Sequence, residues 1–215
     1  MTTLDLTQKN VFGVALNFEA LMAMHEQEFK QKPYLQPPKT PVLFVKPPAT
    51  YNSTRRIPLN GLTKLQTGAN IAVVIGRQAT RVKAAEALCY VRGITVANDY
   101  SAPIDSYYRP AIVAKCRDGS FSISSEVVPC NEQLDLDNLT LTLQVNGKEV
   151  QREHSQNWVR NIPTLIESIT DFMTLNEGDV LLTGTPANTV YVQAGDTVTA
   201  AIEGLCTLTD EITAE

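Results

Sequence analysis

Residues Ile71 to Gly76 read Ile-Ala-Val-Val-Ile-Gly. A β-branched run with no polar residue cannot sit on a half-wet surface, and its crowded χ1 torsions disfavour a helix. It predicts a buried strand, so the chain must build a sheet with apolar layers around it. Val11 to Leu16, Val42 to Val45, Ile94 to Ala97 and Asp179 to Leu182 are further short apolar runs between polar or turn residues, and read as strands. Leu139 to Val145 alternates apolar and polar residues, and Asn146-Gly147 then suits a type I′ turn before Lys148 to Gln151. Asp196 to Thr213 reads as a final hairpin turning at Gly204. Helical patterning is confined to about Leu21 to Lys30, to Thr80 to Leu88 with Thr80 as cap, and to Ile162 to Met173 with Pro163 in the first turn. Strands outnumber helices and do not alternate with them, which gives an α+β class and excludes a doubly wound parallel fold.

Six of the twelve prolines lie between Pro33 and Pro48. Proline fixes φ and removes a donor, so this stretch is an extended rim segment around the Val42 strand. Residues 49 to 66 read as loop and edge structure. Ser101 to Ser120 shows no periodicity, and a loop of that length in a compact domain points to function. With 215 residues, no internal repeat and no linker composition, one domain over 1–215 is expected.

Composition removes several function classes. Eighteen basic against 23 acidic residues leave a formal charge of -5, with no basic surplus to neutralise a nucleic-acid backbone. No apolar run approaches the roughly 20 residues of a membrane span, and the polar, acidic first ten residues are unlike a signal peptide. Four scattered cysteines without a CxxC pair read as reduced thiols in a cytoplasmic protein. With two histidines, any metal would rest mainly on carboxylates, as suits a hard ion such as Mg2+.

Nucleophile-elbow, GxGxxG and P-loop motifs are absent, which leaves acid–base or metal chemistry. Asn98-Asp99 closes a strand, where a carboxylate is rigidly held as ligand or base; capping a turn is the plain alternative. Arg109, Lys115 and Arg117 put three cations into one loop, either as a clamp for an anionic substrate or as a solvated loop face. Thr183-Gly184-Thr185-Pro186 offers hydroxyls and backbone donors after a strand, or forms a simple tight turn.

Taken together, the segments are more specific. Val11 to Asn17, Pro41 to Pro47, Ile71 to Gly76, Gly93 to Asp99 and Gly178 to Pro186 follow one another in the order of the fumarylacetoacetate hydrolase family, which the chain resembles from about Val11 to Ile212. Gln193 to Asp196 and Ile202 to Leu205 fit as well. Tyr108-Arg109-Pro110-Ala111 and Ala114 to Gly119 look most like the members acting in 4-hydroxyphenylacetate (homoprotocatechuate) catabolism, and among these like the first half of tandem or two-subunit forms. The resemblance implies a β-rich mixed-sheet roll with a few short helices, in a homo-oligomer or a hetero-oligomer with a homologous subunit. It implies decarboxylation of 5-oxopent-3-ene-1,2,5-tricarboxylate and isomerisation of 2-hydroxyhepta-2,4-diene-1,7-dioate, so the substrate is a small di- or tricarboxylate. It further implies Mg2+ or Mn2+ held by an E-x-E pair and the aspartate matching Asp99, with Lys115 and Asp99 catalytic. Arg109, Arg117, Gly184 and Thr185 would bind substrate.

The sequence departs from that pattern at the metal site. Aligning on the buried strand puts Gly68 and Asn70 where the family has its two glutamates, so Asp99 is the one ligand retained. The family's His-x-x-Glu dyad falls by register on Leu21 and Met24, whereas His25 and Glu28 repeat the spacing one helical turn later. Ser122 and Ser124 stand where the family often has Pro and Gly. Three functions remain in view: an active isomerase/decarboxylase, an inactive partner supporting a homologous active subunit, and a hydrolase of acylpyruvates.

Overall fold

A computed structural model describes residues 2–131 and 133–215. In chain order the strands begin with β1 (Thr2–Thr3), β2 (Val11–Ala15), β3 (Val42–Lys46), β4 (Arg56–Pro58) and β5 (Leu65–Thr67). There follow β6 (Ala69–Ile75), β7 (Val91–Asp99), β8 (Phe121–Ile123), β9 (Glu126–Pro129) and β10 (Thr140–Val145). The last are β11 (Lys148–His154), β12 (Val180–Leu182), β13 (Val190–Val192), β14 (Thr197–Ile202) and β15 (Cys206–Thr213). Among the described residues four short α-helices interrupt them: α1 (Glu19–Met24), α2 (Glu26–Phe29), α3 (Ile112–Lys115) and α4 (Ile162–Thr170). No helix among the described residues is long and apolar enough to cross a membrane.

The main sheet has eight strands in the order β1-β9-β7-β6-β12-β2-β3, with β8 paired to the end of β7. A five-stranded sheet, β11-β10-β14-β15-β4, packs against it, and β5 pairs with β13 in a small ribbon. This is the α+β mixed-sheet architecture expected. All seven residues of β6 are buried, as its composition requires. Ile71, Val73 and Ile75 join the large core against the second sheet and α4, together with Leu141, Leu143, Leu165, Ile166 and Ile169. Ala72 points to the other face, into a smaller core with Val11, Ala97, Phe121, Val180 and Leu182. The sheet rolls around this smaller core: Tyr51, just beyond β3, bridges to Phe121 of β8, and the small residues Ala72 and Ala97 lie on the inner face.

The roll leaves one position without room for any side chain. Gly13 of β2 lies opposite Phe44 of β3, and a Cβ at Gly13 would come within 2.1 Å of the Phe44 ring.

Several local expectations are corrected. Leu21 to Lys30 is two helices that break at His25, whose φ and ψ of -98° and 5° leave the helical region. Ala84–Tyr90 is a 3-10 helix and Thr80 caps nothing; its hydroxyl pairs with that of Thr174 at 2.8 Å. The last amphipathic helix ends at Thr170, with Asn161 accepting from the Thr164 backbone N–H at 3.2 Å as its cap. The 101–120 stretch is not structureless, since α3 lies within it. The stretch 49 to 66 includes β4 and begins β5. The Asn146-Gly147 hairpin is present, with φ of 52° and 76°, but its second strand continues past Gln151 to His154.

Gly13→Ala should cost about 1–3 kcal/mol of stability, because the added methyl must drive the Phe44 ring out of the rolled sheet. Urea denaturation monitored by circular dichroism measures this, and an unchanged midpoint would show that the ring relocates freely.

Candidate functional site

Sheet register brings three chain ends to one place. β6 and β7 are antiparallel with Ala69 opposite Asn98, so the entry to β6 lies beside the exit from β7. β12 runs antiparallel to β6, and the Thr183 N–H donates to the Ile71 carbonyl at 3.0 Å, which carries Thr183-Gly184-Thr185 to the same point. Gly68, Asn70, Asp99 and Thr185 therefore meet although they are distant in sequence.

Asp99, the last residue of β7, is buried and faces two ammonium groups. Lys46 Nζ lies 3.0 Å from Oδ1, and Lys115 Nζ, at the end of α3, pairs with Oδ2. Lys46 is itself buried and donates to the Tyr100 carbonyl at 3.2 Å, the Ser120 hydroxyl at 2.9 Å and the Lys115 carbonyl. Three donated bonds require the protonated form. Burial alone would raise the Asp99 carboxyl, but the charges of Lys115 and Lys46 override it and hold the group below its usual range. Burial draws the Lys46 ammonium down, with Asp99 opposing the shift. Asp99 is thus an ion-pair partner and caps no turn.

The fit of a divalent cation can be judged from these donors. A Cβ at Gly68 would stand 2.7 Å from Thr185 Oγ1 and 3.0 Å from the Asp99 carbonyl, so this backbone position has no space for a glutamate. Asn70 is a neutral amide tied to its neighbours: Nδ2 donates to the Gly68 carbonyl at 2.8 Å and Thr185 Oγ1 at 3.1 Å, and Oδ1 accepts from the Gly184 N–H at 2.9 Å. The one carboxylate is covered by two cations. Among the described residues no group of three or more His, Cys, Asp or Glu side chains could hold a metal, so Asp105, Asp118 and Glu126 do not complete a site. Mg2+ requires near-octahedral oxygen ligation, and these residues do not fit it.

Lys115 is the member of the cluster that reaches solvent, with 12% of its side chain exposed. Its ammonium lies 4.1 Å from the centre of the Phe44 ring. It opens onto a cavity of about 160 Å3 walled by Val42, Leu43, Phe44, Ile104 and Tyr107, with Arg109 also on the lining. An adjoining space of about 200 Å3 shares Val42, Tyr107 and Tyr108 and is closed by Phe29 and Tyr34. Aromatic contacts tie these walls together, with Tyr34 edge-on to Tyr108 at 5.7 Å and the Tyr107 N–H donating to the Tyr34 hydroxyl at 2.9 Å. A wider groove of about 830 Å3 between Pro41, Arg81 and Phe172 shares Leu43 with the cavity but is not lined by Lys115 or Arg109.

His25 Nδ1 and Glu28 Oε2 are 2.8 Å apart, so the shifted pair does form. The His25 ring packs edge-on against Tyr107 at 5.2 Å, which places the pair behind the cavity wall. Arg117 does not join Arg109 and Lys115; its guanidinium donates to the Asn60 carbonyl at 2.6 Å. Arg117, two residues beyond α3, is not on the lining that carries Arg109 and Lys115. Gly184 has φ of 121° and lies against Asn17 and Val14, Thr185 is held by Asn70 beside Gly68, and neither lines the Lys115 cavity. Ser122, buried beside β7, donates to Asp210 at 2.6 Å and serves the sheet. Sequence reasoning missed Lys46. Its signal was a lysine at the end of an apolar strand and directly before Pro47, where the backbone is extended and the side chain must find a buried partner.

Residues 10–213 match the family model described as Fumarylacetoacetate (FAA) hydrolase C-terminal. The 4-hydroxyphenylacetate degradation bifunctional isomerase/decarboxylase of Escherichia coli is 38% identical over 206 residues, 95% of this chain and 47% of that protein. The chain thus spans about half the length of this relative. Two crystal structures are similar: a 5-carboxymethyl-2-hydroxymuconate delta-isomerase from Mycobacterium smegmatis and a 2-hydroxyhepta-2,4-diene-1,7-dioate isomerase from Mycobacterium marinum. The first has a TM-score of 0.79 at 31% identity, covering 95% of this chain and 78% of its own. The second has a TM-score of 0.75 at 30% identity, covering 95% and 74%.

Asp99→Asn leaves two buried ammonium groups facing a neutral amide and should cost about 3–5 kcal/mol in chemical denaturation at neutral pH. The Asp99 pKa is depressed on folding, so its contribution is complete above the unfolded value of 3.8 and fades as pH falls through the lower folded value. The gap between wild type and variant should therefore narrow in strong acid, and a gap constant with pH would contradict the ion-pair account.

Proposed function

The chain belongs to the fumarylacetoacetate hydrolase family, and on that premise we propose that it is an isomerase/decarboxylase subunit of 4-hydroxyphenylacetate (homoprotocatechuate) catabolism. Its substrates are 2-hydroxyhepta-2,4-diene-1,7-dioate, which it converts to the 2-oxo isomer, and 5-oxopent-3-ene-1,2,5-tricarboxylate, which it decarboxylates. The printed activities of the Escherichia coli and mycobacterial relatives favour this chemistry. The observation that carries it is the Lys115 ammonium, held by Asp99 at one end of an apolar cavity that also bears Arg109. Two cations in an apolar-walled space match a conjugated chain with a carboxylate at each end.

Isomerisation takes the proton from the C2 hydroxyl of the dienol and returns one at the far carbon of the conjugated system. Both this step and loss of CO2 pass through an electron-rich dienolate. The Lys115 ammonium stabilises that oxygen as charge develops, which is worth more in a water-poor cavity than in bulk solvent, while the hydroxyl proton leaves to solvent and solvent returns one at the far carbon. Asp99 and Lys46 are positioning residues that keep the Lys115 ammonium at the cavity. Arg109 holds the second carboxylate, and the His25–Glu28 pair braces the Tyr107 wall. A cytoplasmic location suits the four unpaired cysteines. The proposal includes work within an oligomer, as a homo-oligomer or beside a homologous subunit.

A second reading, an inactive half that supports an active homologous subunit, is favoured by one contact. The Gly184 N–H, a ready oxyanion donor, is already satisfied by Asn70 Oδ1 at 2.9 Å. The purified chain decides between them when loss of the dienol's ultraviolet absorbance is followed. Activity well above the spontaneous rate is expected, with Lys115→Ala lowering kcat by roughly 10²–10⁴-fold. Arg109→Leu should raise KM more than it lowers kcat. No turnover by the chain alone, recovered on adding a homologous active subunit, establishes the second reading.

A further inference from the structure

We propose that the Asp99 cluster is a metal-free anion site, in which the ammonium groups of Lys46 and Lys115 supply the positive charge that a small carboxylate or enolate meets. Three observations carry this. The first is the sign of the local charge: one carboxylate faces two ammonium groups, a net charge of +1. An entering dication would have to displace a buried lysine that is anchored by three further oxygen acceptors. Coulomb repulsion between these charges is little screened in a buried site.

The second observation is the filling of the two positions, 68 and 70, from which further carboxylates would have to reach the site. Thr185 Oγ1 occupies the direction in which a side chain at Gly68 would project, 2.7 Å from where its Cβ would be. Asn70 donates both amide hydrogens to Gly68 and Thr185 and accepts from the Gly184 N–H, which ties its amide to the 183–186 turn. The third is the direction in which the excess charge is offered. Lys46 is sealed, whereas Lys115 is partly exposed and borders the cavity lined by Phe44, Tyr107 and Arg109. An anion thus approaches Lys115 from the cavity and meets the net charge of the whole cluster.

The identity of the anion rests on the function proposed above, but the preference for anion over cation does not. Oxalate, a dicarboxylate that resembles an enolate with its adjacent carboxylate, is the probe. Isothermal titration of the full chain is run in EDTA and again with excess Mg2+ or Mn2+. Saturable oxalate binding in EDTA is expected, with affinity unchanged within about twofold by either ion, and Lys115→Met should weaken it at least about tenfold. Mn2+ titrated alone should show no saturable site below the millimolar range. Saturable sub-millimolar Mn2+ binding to the wild-type protein overturns the proposal, as does oxalate binding that requires the dication or that fails under both conditions. These wild-type measurements stand even where Lys115→Met does not fold. Metal-independent oxalate binding without dienol turnover would sink the proposed activity and leave the anion site intact. Turnover accompanied by dication-dependent oxalate binding would do the reverse.

Discussion

A carboxylate held out of water between two ammonium groups organises this molecule around one point. Burying any one of these charges alone would cost several kcal/mol, so none of the three side chains is stable there without the others. Lys46 comes from one edge of the main sheet, Asp99 from the end of a strand four places across it, and Lys115 from a short helix in the long loop. Only a sheet rolled far enough to bring Tyr51 against Phe121 lets these three meet. The roll in turn requires small residues inside, which explains Gly13 under Phe44 and the alanines at 72 and 97. Phe44 then serves twice, filling the space above Gly13 and supporting the Lys115 ammonium with its ring face.

In the family pattern that the sequence resembles, two glutamates and a dication would carry charges that sum to zero. Gly68 and Asn70 carry none, so the charge around Asp99 is the net +1 set by Lys46 and Lys115. What changes is local structure, since Asn70 now ties the Thr183–Pro186 turn to the β6 entry with hydrogen bonds that a ligating glutamate would not make. On the anion-site proposal, such a site attracts an anion without a Lewis acid, at the expense of the strong polarisation that a metal ion provides.

The fold was largely legible in the chain. Ile71 to Gly76 could only be a covered strand, and the Asn146-Gly147 turn declared its hairpin, because backbone preference and apolar spacing act locally. The errors fall where tertiary contacts overruled local pattern. The helix expected to run from Leu21 to Lys30 breaks at His25, beside Tyr107 and the loop that carries Arg109. Thr80 was read as a cap from its position alone, whereas its hydroxyl is taken by Thr174 from the far side of the chain.

The site divided along the same line. Asp99 at a strand end, Lys115 in a functional loop and the absence of carboxylates at 68 and 70 were readable from residue type and order. Charge in sequence could not separate Arg109 from Arg117, because eight residues and one helical turn send their side chains to different neighbours. Nor could it reveal that Lys46 faces Asp99, since they are 53 positions apart and their contact depends on how tightly the sheet curls. The sequence by itself determined the strands, the family and the missing ligands, all consequences of local chemistry. Which charges face one another was decided only by the tertiary roll, because burial and distance, and not abundance, set the sign of the field in a site.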